Sequence, residues 1–258
     1  MTLFEVECDW FRHLISELAK LLTSQRNIAN SRLESLSTGV RGLDMLLGGG
    51  FPLRQISLLY GEASTGKTIL SMQCALEMAR KDFRVFYVDA DQSFSAQRLE
   101  RMIGGPEFAE RIVLFQPEDF KDQVGIIENL ESVLTKTPAL VVVDSITGLY
   151  RADNGGSEKI FARNRELNRQ LAHLNSLAAR FKLWVLLTGQ VHSTPSGGEW
   201  LVEPVATRTL KHWSDLILRL RQTPKTDVRD CILEKKNGGE VSGYHSLFRI
   251  GEDGIEDV

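Results

Sequence analysis

The stretch that decides the fold is Gln55-Ile56-Ser57-Leu58-Leu59-Tyr60-Gly61-Glu62-Ala63-Ser64-Thr65-Gly66-Lys67-Thr68-Ile69-Leu70. Gln55–Tyr60 reads as a strand and Lys67–Lys81 as a helix. Between them Gly61–Thr68 fits G-x-x-x-x-G-K-[ST] in full, in the strand–loop–helix setting that makes the motif specific. The glycines let backbone N–H groups curl around phosphates, and the helix N-terminus adds a favourable dipole. Gly61, Glu62, Ala63, Ser64, Thr65, Gly66, Lys67 and Thr68 are therefore the cofactor-binding set. Lys67 bridges the β- and γ-phosphates in such a loop, and the Thr68 hydroxyl ligates Mg²⁺.

Outward from this loop, short apolar runs alternate with longer amphipathic segments. Arg84–Asp89, Arg111–Phe115, Leu140–Asp144 and Leu183–Thr188 read as further strands. Helices are expected at Ala96–Ile103, Asp119–Lys136 and Lys159–Phe181. This alternation implies a parallel sheet with right-handed crossovers. Leu140–Asp144 is apolar throughout until its last residue, as a central strand covered on both faces should be. The last 50 residues change grammar. Asp215–Arg221, Val228–Glu234 and Tyr244–Ile250 read as strands with short Pro- and Gly-containing links, an antiparallel extension of the same sheet. The fold class is α/β, a P-loop core with a mostly parallel sheet flanked by helices.

Strand ends then supply the chemistry. Asp144 closes Leu140-Val141-Val142-Val143-Asp144, where a carboxylate holds Mg²⁺ beside Thr68. Asp91 lies just past Arg84–Asp89 and Gln190 just past Leu183–Thr188. In an open α/β sheet both face the edge where ligands bind, so with Lys67 they form the candidate catalytic set. Asp91 also suits a helix cap, and Gln190 a loop hydrogen bond. No [NT]-K-x-D guanine-reading motif occurs, since Pro224-Lys225-Thr226-Asp227 has proline at its first position. ATP with Mg²⁺ is the expected cofactor pair.

Composition sets the bounds. The chain has 258 residues, 31 Lys and Arg against 34 Asp and Glu, and a formal net charge of −3. That balance argues against a protein that coats nucleic acid through bulk charge. Cys8, Cys74 and Cys231 are three in number and far apart, which fits a reducing compartment and neither a disulfide framework nor a zinc site. No apolar run is long enough to span a bilayer, so the expected location is the cytoplasm. Residues 1–36 stand apart. Phe11, Leu14, Ile15, Leu18, Leu21 and Leu22 recur at helical spacing, followed by a polar linker. They are expected to form a helical extension ahead of an ATPase domain at 37–258, either docked on the body or reserved for a partner.

The motifs together resemble the cores of RecA/RadA-type recombinases. Ser37-Thr38-Gly39-Val40, Gly42-Leu43-Asp44 through Gly50, Tyr87-Val88-Asp89 through Phe94, and Val142-Val143-Asp144-Ser145-Ile146-Thr147 carry the likeness. Phe115-Gln116-Pro117-Glu118-Asp119-Phe120-Lys121, Pro204–Leu210 and Gly254–Val258 are similar to the archaeal RadB group of recombinase paralogues. The resemblance implies a RecA-like ATPase that binds DNA, hydrolyses ATP weakly, exchanges no strands itself and assists recombinational repair. It also makes Arg98 a counterpart of the arginine that packs on adenine, against the plainer reading of a helix-surface arginine. A KaiC-like signalling ATPase acting on protein partners is the alternative.

Departures from the recombinase pattern sharpen these expectations. The glutamate position is Asp91 here, one methylene shorter. A carboxylate set back by about 1 Å can cost ~10²-fold in rate, so hydrolysis should be slow. No Phe-x-x-Ala occurs in the N-terminal segment, so an autonomous filament is not expected, while an oligomer stays open. Of the two loops that grip DNA in recombinases, Leu149–Lys159 mixes Arg151 and Lys159 with acids, and His192–Thr207 has no Lys or Arg at all. DNA binding should be modest and salt-sensitive. Arg208, Lys211, Arg219, Arg221, Lys225, Arg229, Lys235 and Lys236 cluster later, either as solvated strand charges or as a contact to DNA or a neighbouring subunit. A RadA-type recombinase or a junction nuclease is the expected class of protein partner.

Overall fold

In a computed structural model, residues 34–103, 106–152, 157–196 and 199–258 are described. The expected helix through Phe11–Leu22 lies outside these residues, as does the middle of the Leu149–Lys159 loop, while Ser35–Leu36, expected to end the linker, forms a strand. The body from Ser35 to Val258 is built around one nine-stranded sheet. Its elements run β1 (Ser35–Leu36), α1 (Arg41–Leu47), β2 (Phe51–Pro52), β3 (Ile56–Gly61), α2 (Lys67–Arg80), β4 (Arg84–Asp89), α3 (Ala96–Ile103) and β5 (Ile112–Phe115). Then come α4 (Phe120–Val133), β6 (Ala139–Asp144), α5 (Gly148–Ala152), α6 (Ser157–Phe181) and β7 (Leu183–Gly189). The chain closes with β8 (Val191–Ser196), β9 (Glu199–Pro204), α7 (Thr207–Trp213), β10 (Leu216–Gln222), β11 (Val228–Lys236), β12 (Gly239–Gly251) and β13 (Gly254–Asp257).

Strand order is β13-β12-β11-β10-β3-β7-β6-β4-β5. The six strands from β10 to β5 are mutually parallel, and β11, β12 and β13 add antiparallel. Every residue of β3, β6 and β7 is buried, which explains their unbroken apolar runs. One face packs Ile56, Leu58, Val141, Val143, Val185 and Leu187 against Leu167, Leu171 and Leu174 of α6 and Leu210 of α7. On the other face α2 lies across β3, β4, β6 and β7.

Two expectations about the C-terminal region change. Asp215–Arg221 was expected to open an antiparallel set, yet β10 runs parallel to β3, with Leu216 beside Ser57 and Leu220 beside Gly61. The crossover through α7 gives the chain room to return and add a parallel strand. The expected loop 192–207 contains the antiparallel hairpin β8–β9. The β11–β12 link forms as read. Asn237 and Gly238 both have positive φ (51° and 79°) between the paired Lys236 and Gly239, the geometry of a two-residue type I′ turn.

Candidate nucleotide site

At the C-terminal ends of β3, β4, β6 and β7 the expected residues meet. Gly66 takes a left-handed φ of 95° as the N-cap of α2. Thr65 Oγ1 bonds the Glu62 carbonyl at 2.8 Å, which closes the loop on itself. Lys67 Nζ donates to the carbonyls of Gly61 (2.9 Å) and Glu62 (2.8 Å). Burial holds its pKa below the usual lysine range, against the pull of Asp144, Asp91 and Glu62.

Asp144 is 1% exposed. Tyr87 donates its phenol to Oδ2 at 2.8 Å and Thr188 its hydroxyl to Oδ1. Desolvation raises the Asp144 pKa, opposed by hydrogen bonds from Thr188, Thr68 and Tyr87. Tyr87 and Thr188 are site residues that the sequence reading missed. Each sits within an apolar strand, where a lone polar side chain is a weak signal. β6 pairs with both β4 and β7, Val142 beside Tyr87 and Val143 beside Leu187, which places one donor on each side of the carboxylate.

Asp91 and Gln190 are brought together. Gln190 Nε2 donates to both Asp91 carboxylate oxygens at 3.2 Å, and Arg151 Nη1 approaches Gln190 Oε1 at 3.4 Å. The turn carrying Asp91 is set by the fully buried Asp89, whose carboxylate accepts from the amides of Ser93 and Phe94. Ala90 and Asp91 donate their amides to the Asp144 carbonyl. Asp91 is therefore no helix cap here. Gly148 is a further residue the sequence did not announce. A Cβ there would stand 1.8 Å from Asp91 Oδ1, so the missing side chain makes room for the carboxylate.

Beside the P-loop a cleft of 450 Å³ is lined by Lys67, Thr68, Met72, Ser93, Arg98 and Ile250, among others. Arg98 Nη1 is buried there without a partner among the described residues. A charged planar group facing apolar Met72 and Ile250 suits the edge or face of a purine. Thr68 and Asp144 are hard oxygen donors suited to Mg²⁺. No group of three or more His, Cys, Asp or Glu able to hold a metal by itself occurs among the described residues. Such an ion would rest on phosphate and water oxygens as well, as Mg²⁺ commonly does.

Four of the eight later cations are engaged by neighbouring groups. Arg229 Nε bonds the Ser64 carbonyl of the P-loop at 3.0 Å. Arg221 pairs with the buried Asp230 at 2.7 Å. Lys235 caps the carbonyls of Lys211 and Ser214, and Lys211 lies 3.5 Å from Glu203. These four are held by the P-loop, by β11, by the end of α7 and by β9. No helix among the described residues is long and apolar enough to cross a membrane.

Comparison with known proteins follows this geometry. The Rad51 family model matches residues 29–258. The DNA repair and recombination protein RadB of Thermococcus kodakarensis is 40% identical over 228 residues, covering 86% of this chain and 99% of the relative. That of Pyrococcus furiosus is 36% identical over 230 residues, 87% and 96% of the two chains. A crystal structure of the RadB recombinase, 39% identical, superposes with a TM-score of 0.73 over 86% of this chain and 99% of that one. These relatives favour recombination over the signalling alternative.

Proposed function

The chain belongs to the Rad51 family, on its RadB branch, and from that premise we propose an ATP-binding, slowly ATP-hydrolysing accessory protein of recombination and DNA repair that binds DNA and exchanges no strands itself. The observation that carries the catalytic part is the pair of hydrogen bonds from Gln190 to Asp91 at the strand edge that also bears Lys67 and Asp144. Mg-ATP, when bound, supplies the scissile phosphoanhydride and the cation that offsets its charge.

The residues divide the work. Lys67, whose ammonium now rests on two loop carbonyls, is the donor for phosphate oxygens. Thr68 and Asp144 offer the oxygens for Mg²⁺, and Tyr87 and Thr188 fix the Asp144 carboxylate. Asp91, steered by Gln190, orients and polarises the attacking water. Its short side chain leaves the carboxylate back from the water, which supports slow turnover. Arg98 packs on adenine.

The relatives' role in DNA repair and recombination supports DNA as a partner. The cation-free segment 192–207 supports weak, salt-sensitive binding. Residues 1–36 form a helical extension and linker before the ATPase domain at 37–258. The protein works in the cytoplasm beside a RadA-type recombinase or a junction nuclease. Without a Phe-x-x-Ala segment it builds no filament alone. The test is Mg-dependent ATP hydrolysis with and without single-stranded DNA for wild type, Asp91→Glu and Lys67→Ala. Slow, DNA-indifferent turnover that Asp91→Glu speeds and Lys67→Ala lowers by ~10²–10³-fold is expected. Strong stimulation of the wild type by DNA would overturn the accessory reading in favour of a DNA-dependent motor.

A further inference from the structure

Helix α6 is anchored by Leu167, Leu171, Leu174 and Leu177, all at 0% exposure. At 100° per residue, Phe161 and Arg165 fall together on the side away from those anchors. Phe161 is 81% exposed, more than any other large hydrophobic residue described. Arg165 is exposed and has no hydrogen bond or ion pair among the described residues. The carboxylates Glu166 and Glu128 are both taken by Arg169, so neither offsets the Arg165 charge. Two turns beyond Phe161, Asn168 Oδ1 accepts a 2.8 Å hydrogen bond from Trp213 Nε1 of α7. That bond holds a second, half-buried aromatic at the flank of the same face, with the exposed His212 ring packed edge-on against it at 5.2 Å.

We propose that the ridge Phe161–Arg165–Trp213 is a track for single-stranded nucleic acid, with the two aromatic groups stacking on bases and Arg165 pairing with a phosphate between them. Phe161 and Asn168 are seven residues apart, about 10 Å along the helix. That span fits about three nucleotides at ~3.4 Å each. Aromatic rings alternating with an exposed guanidinium are the chemistry of sequence-tolerant strand binding. The ridge supplies the cation that the segment 192–207 lacks. A protein partner fits less well. Phe161 and its neighbour Ile160 are the only large hydrophobic residues of α6 exposed among those described, whereas a stable protein interface covers about 800 Å² on each side.

This inference rests on the DNA-binding part of the proposed function, and its test separates the two. A fluorescein-labelled oligo(dT) of about 20 nucleotides is titrated with the full-length wild type, Phe161→Ala, Phe161→Trp and Arg165→Gln, with ATP binding as the check on folding. Phe161→Ala is expected to bind about tenfold more weakly, and Phe161→Trp to match or exceed wild type. Arg165→Gln should lower the salt dependence by roughly one phosphate contact. If wild type binds and Phe161→Ala binds equally well, the track is wrong while DNA binding stands. If wild type binds no oligonucleotide, both fail. If Phe161→Ala instead lowers the sedimentation coefficient of the protein alone, the ridge is a contact between copies and the proposal is overturned.

Discussion

The two ends of the nine-stranded sheet do different work with different materials. In the parallel half, β3, β6 and β7 are buried at every position and deliver Lys67, Asp144 and Gln190 at or beyond their C-terminal ends. In the antiparallel half, β12 is mostly exposed and only Phe248 along it is fully buried. Yet this half reaches back to the nucleotide loop. Phe248 and Ile250 lie within 3.5 Å of where a Gly66 Cβ would stand, Arg229 holds the Ser64 carbonyl, and Gln222 Nε2 bonds the Ala63 carbonyl at 3.3 Å. The parallel half holds the candidate site, and the extension braces its glycine-rich loop.

The largest expected effect comes from removing the brace. Phe248→Ala deletes a fully buried ring and should cost about 3–5 kcal/mol of stability by denaturant unfolding, with ATP affinity falling as well. Unchanged ATP affinity in the folded fraction would break the link between the halves. Next, Lys67→Ala should lower hydrolysis by ~10²–10³-fold, the range for loss of one preorganised donor, with the melting temperature near wild type. Asp91→Glu should raise turnover by about tenfold or more. Gly148→Ala should lower it with little change in KM, since the new Cβ would displace the Asp91 carboxylate.

Asp144→Asn sharpens the comparison through pH. Burial raises the Asp144 pKa above its ordinary value, so the folded state binds this proton more tightly than the unfolded chain. The group's contribution to stability therefore falls as pH rises from about 4, the unfolded value, through the raised folded value. Removing the charge should raise the melting temperature of the nucleotide-free protein at pH 7.5. The gain should vanish below about pH 4, and the variant should lose Mg-dependent hydrolysis. The smallest effect is Arg229→Ala, which frees one P-loop carbonyl and should weaken ATP binding only a few-fold, as befits a lost hydrogen bond of about 1 kcal/mol.

Most of the parallel half was legible because its signals are local. A strand, a glycine loop and a helix start lie within sixteen consecutive residues, and strand-end carboxylates announce themselves by position. Asp91 and Gln190 could be named as candidates, but their mutual hydrogen bond depends on β4 and β7 flanking β6, an order no short window contains. The extension was harder. Short Pro- and Gly-containing links marked its strands but not the direction of β10, which depends on the crossover through α7. The charges on β10 and β11 read as one basic cluster because the partners of Arg221 and Arg229, Asp230 and a P-loop carbonyl, are brought to them only by the folded sheet.

The sequence by itself determined the nucleotide loop, the α/β alternation, the hairpin turn at Asn237-Gly238 and the carboxylate at the end of β6. Each depends on backbone conformation and side chains within a few residues, where sterics and hydrogen bonding act directly. The tertiary structure decided what meets across the chain. Val40 gives α1 no side-chain cap, and the carboxylate of Asp257 accepts from the amides of Arg41 and Gly42 instead. Gln73 of α2 clamps Ile255 of β13 through both its amide and its carbonyl. Gly148 leaves the space that Asp91 fills. Such contacts follow from burial and pairing over the whole sheet, because a helix end or a buried carboxylate takes whichever partner the packed chain brings within reach.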